Sequence, residues 1–163
     1  MALRSLEQQS YTGIPLPTDA FIIIVRTEWN ADTVDILEEG CISVLKEYNM
    51  NYTVLIVPGA FEIGFAINNY WNYSSNAGKP AAFIALGCVC RGETPHFEYV
   101  CKAVTDNVSA LNITLPVPII FGVLTVNNQS EADDRTGGKQ GHKGREAAIT
   151  ALKMISLSES FKK

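Results

Sequence analysis

The sequence predicts an α/β sandwich in which a four-stranded parallel sheet carries helices on both faces. Three observations carry that prediction. Short apolar runs alternate four times with segments of helical period. The runs are apolar at odd and even positions alike, as a parallel strand covered on both faces demands. The links between runs and helices are short, which suits repeated strand–helix crossovers.

The elements follow in order. Residues 1–19 show no stable period; Ile14-Pro15-Leu16-Pro17 predicts an extended arm, because proline fixes its own φ and restrains the residue before it. Residues 20–163 predict a single domain, with no linker or low-complexity stretch to divide them. The first strand is Phe21 to Val25, and the first helix runs from about Ala31 to Tyr48 with Asn30 as its N-cap. Val34, Leu37, Cys41, Val44, Leu45 and Tyr48 mark its apolar face. The second strand, Val54 to Val57, ends at Pro58-Gly59. A helix with Phe61, Phe65 and Trp71 among its apolar residues follows, up to the turn at Ser74 to Gly78. The third strand is Ala81 to Cys90. Thr94 then predicts an N-cap and Pro95 a first helical position, with Phe97, Val100, Cys101, Val104, Val108 and Leu111 at helical spacing behind them. The fourth strand is Ile119 to Leu124. A short helical piece around Ser130 to Arg135, a glycine-rich link over 137–141 and a last helix from about Arg145 to Leu157 complete the chain.

Composition excludes several function classes. A length of 163 residues suffices for one sizeable core, and 47% hydrophobic with 18% charged residues is not a disordered composition. No apolar run approaches the roughly 20 residues of a membrane span. The net charge of −4 leaves no basic surplus for a nucleic-acid backbone. Cys41, Cys88, Cys90 and Cys101, with no secretory signal pattern over 1–19, predict reduced thiols in a cytoplasmic setting.

In an open α/β sheet, ligands bind beyond the carboxyl ends of the strands. That rule selects 26–30, 58–62, 91–96 and 125–135 before any residue type is weighed. Trp29 suits stacking on a flat heterocycle, and equally a fold-down on the surface or a subunit contact. Gly59 permits close backbone approach, and the amides that follow point outward. Glu62 can accept bonds from hydroxyls or simply complement a helix dipole. Glu93 and Thr94 lie in a turn that opens a helix, where an anion can be held. His96 stands in the first turn of that helix and suits proton transfer near neutral pH. Arg135 offers a fork for phosphate and Lys143 a point charge, although solvated surface charge explains each of these singly. A metal fits poorly: Cys88 and Cys90 share one strand and no fourth cysteine is near. Gly87 to Gly92 lacks a glycine for a dinucleotide fingerprint, and neither a Walker lysine loop nor a G-x-S-x-G elbow occurs.

Four stretches in order are similar to the lumazine synthase family: Val57-Pro58-Gly59-Ala60-Phe61-Glu62-Ile63, the run from Ala85 to Cys101, Pro118 to Thr125, and Gly141 to Ala148. The resemblance covers roughly Phe21 to Leu157. It implies a flavodoxin-like fold and the riboflavin-pathway condensation of 5-amino-6-(D-ribitylamino)uracil with 3,4-dihydroxy-2-butanone 4-phosphate, with no metal or organic cofactor. It further implies that Trp29, Asn30, Gly59, Ala60, Phe61, Glu62, Val89, Cys90, Phe121 and Lys143 serve the pyrimidine and its ribityl chain. Glu93, Thr94 and Arg135 would serve the phosphate, and His96 would move protons. The site would lie between subunits of a pentamer or a sixty-subunit shell, with Phe121 and Arg135 reaching across, and riboflavin synthase would be a partner. A non-catalytic flavin carrier or shell of the same fold is the rival expectation. Gly64 departs from a proline common in the family, Cys90 from an aliphatic residue, and Asp134 adds an acid beside Arg135.

Overall fold

Ile22, Ile23, Ile24 and Val25 are all fully buried, so both faces of the first strand are covered. The computed structural model describes residues 14–162. It orders them as β1 (Phe21–Thr27), α1 (Ala31–Glu47), β2 (Asn51–Val57), a 3₁₀ turn (Ala60–Glu62) running into α2 (Ile63–Tyr73), β3 (Ala82–Cys90), α3 (His96–Thr114), β4 (Ile119–Val126), α4 (Gln129–Asp133), β5 (Thr136–Gly138), β6 (Gly141–His142) and α5 (Lys143–Ser160).

The main sheet is parallel with order β2-β1-β3-β4. These are the first four strands of the flavodoxin-like order, and the strand sequence reverses between β1 and β3. Alternate side chains of the sheet feed two cores. Ile22, Ile24, Ile84 and Leu86 pack with α1 and α5, while Ile23, Val25, Phe83 and Ala85 pack with α2 and α3. Each of these side chains larger than alanine, fully withdrawn from water, contributes about 1.5–3 kcal/mol. Two glycines let α1 and α5 approach closely. A Cβ on Gly144 would lie 2.0 Å from the Leu37 carbonyl oxygen, and one on Gly40 would lie 2.0 Å from the His142 ring.

Several expectations need correction in detail. Of the apolar residues named for the second helix, Trp71 packs against the α2/α3 core but Phe61 and Phe65 are 57% and 74% exposed, and the fully buried ones are Ile63 and Ile67. Thr94 does not cap α3; Pro95 occupies the cap position, and no side chain caps that end. Asn30 does stand at the start of α1, but in the left-handed region (φ 57°), and its side chain makes no cap bond. The glycine-rich link folds into the antiparallel pair β5–β6, with Gly137 and Gly141 at positive φ. Most of the arm expected over 1–19 lies outside the described residues; within it, Ile14 and Leu16 pack against the α1/α5 core.

Candidate active site

The carboxyl ends of β1, β2 and β3 form a rim. Past the last paired residues, Glu28 N donates to the Val57 carbonyl (2.8 Å) and Trp29 N to that of Pro58 (3.1 Å), so the two strands stay zipped into their turns. Trp29 is thereby laid against Gly59. A Cβ on Gly59 would come within 2.6 Å of the indole, so only glycine fits there. The indole remains 64% exposed. Gly59 N donates to Glu62 Oε2 (3.0 Å) and Glu62 N to the Gly59 carbonyl (3.2 Å), which fixes the carboxylate over the turn. Ala60 is buried beneath it, and Phe61 points outward.

Asn30 spans the reversal point of the sheet: its Nδ2 donates to the Cys88 carbonyl at 2.7 Å. Beyond that bond Cys88 is buried, Val89 half-buried and Cys90 exposed. Burial, with the neighbouring Cys90 second, pushes the Cys88 thiol up to about 11, so it stays protonated near neutral pH. Glu93, Thr94 and His96 are all exposed on the turn that enters α3. None of the three has a hydrogen-bonding or charged side-chain partner among the described residues. With no side-chain cap on α3, the amides of His96 and Phe97 are left without an intrahelical partner, while Glu98 N donates to the Pro95 carbonyl at 3.1 Å.

A second group lies along β4, one of the two edge strands of the sheet. Phe121, Arg135 and Lys143 line a cavity of about 440 Å³, together with Thr125, Glu146 and Thr150. The β5–β6 hairpin brings the two cations together, and Lys143 N donates to the Arg135 carbonyl at 2.8 Å. Arg135 Nη1 donates to the Glu131 carbonyl (2.8 Å), and Lys143 Nζ sits 3.0 and 2.9 Å from the two Glu146 oxygens.

None of Trp29, Glu62, Glu93, Thr94 and His96 lines that cavity, and the Phe121 position lies below the rim. Phe121 pairs with Ala85, and Ala85 precedes Cys90 by five residues (90 − 85). At a rise of about 3.3 Å per residue, that is about 16 Å down the sheet from the rim. Each chain therefore presents two half-sets: aromatic, amide and imidazole groups at the rim, cations at the edge. Sequence reasoning missed Glu146, whose spacing of three from Lys143 on a helix is a readable signal. The rim rule selected the segments that hold Arg91 and Asn127, but their bond across 36 positions of sequence left no signal. Among the described residues no three His, Cys, Asp or Glu side chains converge to hold a metal ion.

A family model described as 6,7-dimethyl-8-ribityllumazine synthase matches residues 19–159. Proteins of that name are similar along nearly the whole chain. The one from Porphyromonas gingivalis is 42% identical over 96% of this chain and 96% of its own. Those from Phocaeicola vulgatus and Bacteroides fragilis are 39% and 44% identical, covering 99% and 86% of this chain and 96% and 97% of theirs. With a sheet order and a rim that agree with the motif resemblance, the chain belongs to the 6,7-dimethyl-8-ribityllumazine synthase family of enzymes.

Proposed function

We propose that the protein condenses 5-amino-6-(D-ribitylamino)uracil with 3,4-dihydroxy-2-butanone 4-phosphate, giving 6,7-dimethyl-8-ribityllumazine, phosphate and water in riboflavin biosynthesis. The observation that carries this reading is the pair of complementary half-sets on a chain of this family, one suited to a flat heterocycle and the other to an anion.

Trp29 stacks on the pyrimidine, with Asn30, Val89 and Cys90 along its edge. The Gly59–Glu62 turn, with Ala60 and Phe61, takes the ribityl hydroxyls, which donate to the Glu62 carboxylate. Glu93, Thr94 and the first-turn amides of α3 take the phosphate, with Arg135 as the cationic partner. Phe121 and Lys143 close the pocket. The free amine of the uracil attacks the ketone carbon, and His96 moves protons as the carbinolamine loses water to an imine. The imine then loses its C3 proton as phosphate leaves C4 with its bonding pair, the phosphate charge met by Arg135, and the enol so formed tautomerises to a ketone. The ribityl-bearing nitrogen closes the ring with loss of a second water. Because the amine is already nucleophilic, holding two reactants together supplies much of the acceleration.

That the cavity holding Phe121, Arg135 and Lys143 includes none of Trp29, Glu93, Thr94 and His96 supports a site shared by two chains, the rim of one facing the edge of the next. A pentamer, or a sixty-subunit shell of pentamers, satisfies that requirement, and an association with riboflavin synthase would pass the product on. Four unpaired thiols suit a reducing, cytoplasmic setting. Mixing both substrates with the protein should produce lumazine fluorescence and free phosphate, and light scattering should give a multiple of five subunits. Absence of product sinks the enzymatic reading in favour of a binding or shell protein; a monomer that turns over sinks the shared site.

A further inference from the structure

Arg91 leaves the end of β3 one residue after Cys90, and four separate contacts converge on it. Its backbone N–H donates to the Val126 carbonyl (2.9 Å), continuing the pairing of β3 with β4. Its Nε donates to Asn127 Oδ1 at 2.9 Å. A terminal guanidinium nitrogen pairs with Glu98, in the first turn of α3. The guanidinium also lies over the Phe97 ring, 4.2 Å from its centre. The bonding continues beyond Asn127. Its N–H (2.8 Å) and Nδ2 (3.2 Å) donate to the Glu131 carboxylate, Glu131 N donates to Asn128 Oδ1 (3.0 Å), and the Glu131 carbonyl accepts from Arg135. An unbroken polar path thus runs Glu98–Arg91–Asn127–Glu131–Arg135.

We propose that Arg91 is a positioning residue for the condensation: its single planar fork sets the turn that carries Glu93, Thr94 and His96 against the short helix α4 from whose end Arg135 projects. The inference rests on the functional reading above. Since that reading lends Arg135 to a neighbouring chain, one Arg91 serves two sites, the turn of its own and the arginine given to the next. Both carboxylates on the path stay ionised near neutral pH. The Arg91 bond holds Glu98 below the usual carboxylate range, and the Asn127 N–H does the same for Glu131. Stability is not what the path supplies. Arg91 and Glu98 side chains are 42% and 53% exposed, and exposed pairs of this kind contribute little to folding. What the fork does supply is direction. Lysine could satisfy one partner with its point charge, but not Asn127 and Glu98 together.

Steady-state kinetics on the full chain, read by lumazine fluorescence, tests this with wild type, Arg91→Ala, Arg91→Lys and Asn127→Ala. Arg91→Ala should lower kcat and raise KM for the phosphate-bearing ketone, each by roughly tenfold, the scale of a sub-ångström misplacement. KM for the pyrimidine and the melting temperature should stay near wild type. Arg91→Lys should not restore the loss. Asn127→Ala should raise the ketone KM alone, because the Glu98 contact still orients His96. An Arg91→Ala enzyme with unchanged constants overturns the inference, and so does a uniform rise in both KM values with a fall in melting temperature. A wild-type protein that makes no lumazine overturns the functional reading instead, so the two failures are distinguishable.

Discussion

The rim and the edge groove hold their polar groups by different means. At the rim, side chains are pinned to backbone: Asn30 to the Cys88 carbonyl, Glu62 to the Gly59 amide. Their positions follow from sheet geometry and change only if the strands do. In the groove, the Lys143 ammonium is held by a neighbouring carboxylate and the Arg135 guanidinium by a single helix carbonyl. Those bonds can be exchanged for bonds to an incoming anion. The contrast suits the pinned part of the rim, Asn30 and Glu62, to fixed shape recognition and the groove to adjustable charge recognition, while Glu93, Thr94 and His96 on the rim have no such pins.

The comparison can be broken most severely at the support of the groove. Gly144→Ala would drive a Cβ into the Leu37 carbonyl, part α5 from α1 and cost about 3 kcal/mol, the upper range for overpacking. Urea unfolding should show the loss, and an unchanged midpoint would mean that the helices adjust freely. Next in size is His96→Ala. Turnover should fall by roughly 10²-fold, the lower end for acid–base assistance, with both KM values kept; full turnover would remove its proton-transfer role. Arg135→Ala should raise KM for the phosphate-bearing ketone by roughly 10- to 100-fold, the loss of a charge-assisted bond, with a smaller change in kcat. If the pyrimidine KM rises instead, the division between the half-sets is wrong.

The smallest effect concerns acid. The pKa of Glu98 is depressed by Arg91, then by a backbone bond. Its contribution is therefore complete above the ordinary glutamate range and fades as pH falls through the lowered value. Melting temperatures of wild type and Glu98→Gln should differ slightly at neutral pH and converge in acid. A gap that widens in acid would contradict the Arg91 pairing.

Much of this was legible in the residues, and the gaps have physical causes. Strands buried on both faces announce themselves as apolar runs, so the expected bounds of β3 differ by one residue and those of β1 by two, where polar Arg26 and Thr27 end the run. The edge strand β2 begins at Asn51, three residues before the apolar stretch, because its exposed positions tolerate polar side chains that pairing with Phe21 and Ile22 still recruits. In α2 two apolar stripes compete, Phe61/Phe65 and Ile63/Ile67, and local periodicity cannot say which one meets the sheet. At the α3 start, the cap and helix rules pointed one residue early, since Pro95 adopts φ −63° but ψ 0° and only His96 begins the helix. The rim rule selected turns that do stand at the strand ends, because topology alone determines where strands end. The Arg91 path escaped because bonds between distant side chains have no period.

The notch formed by Gly144 against α1 has a consequence for motion. A slip of one helical turn, about 5.4 Å, would bring Ala147 or Ala148, each with a Cβ, onto the Leu37 carbonyl. The pair is keyed rather than greased, and α1 and α5 travel as one body. Any give that the arrival and departure of reactants demands must come from the loops that cross the top of the sheet.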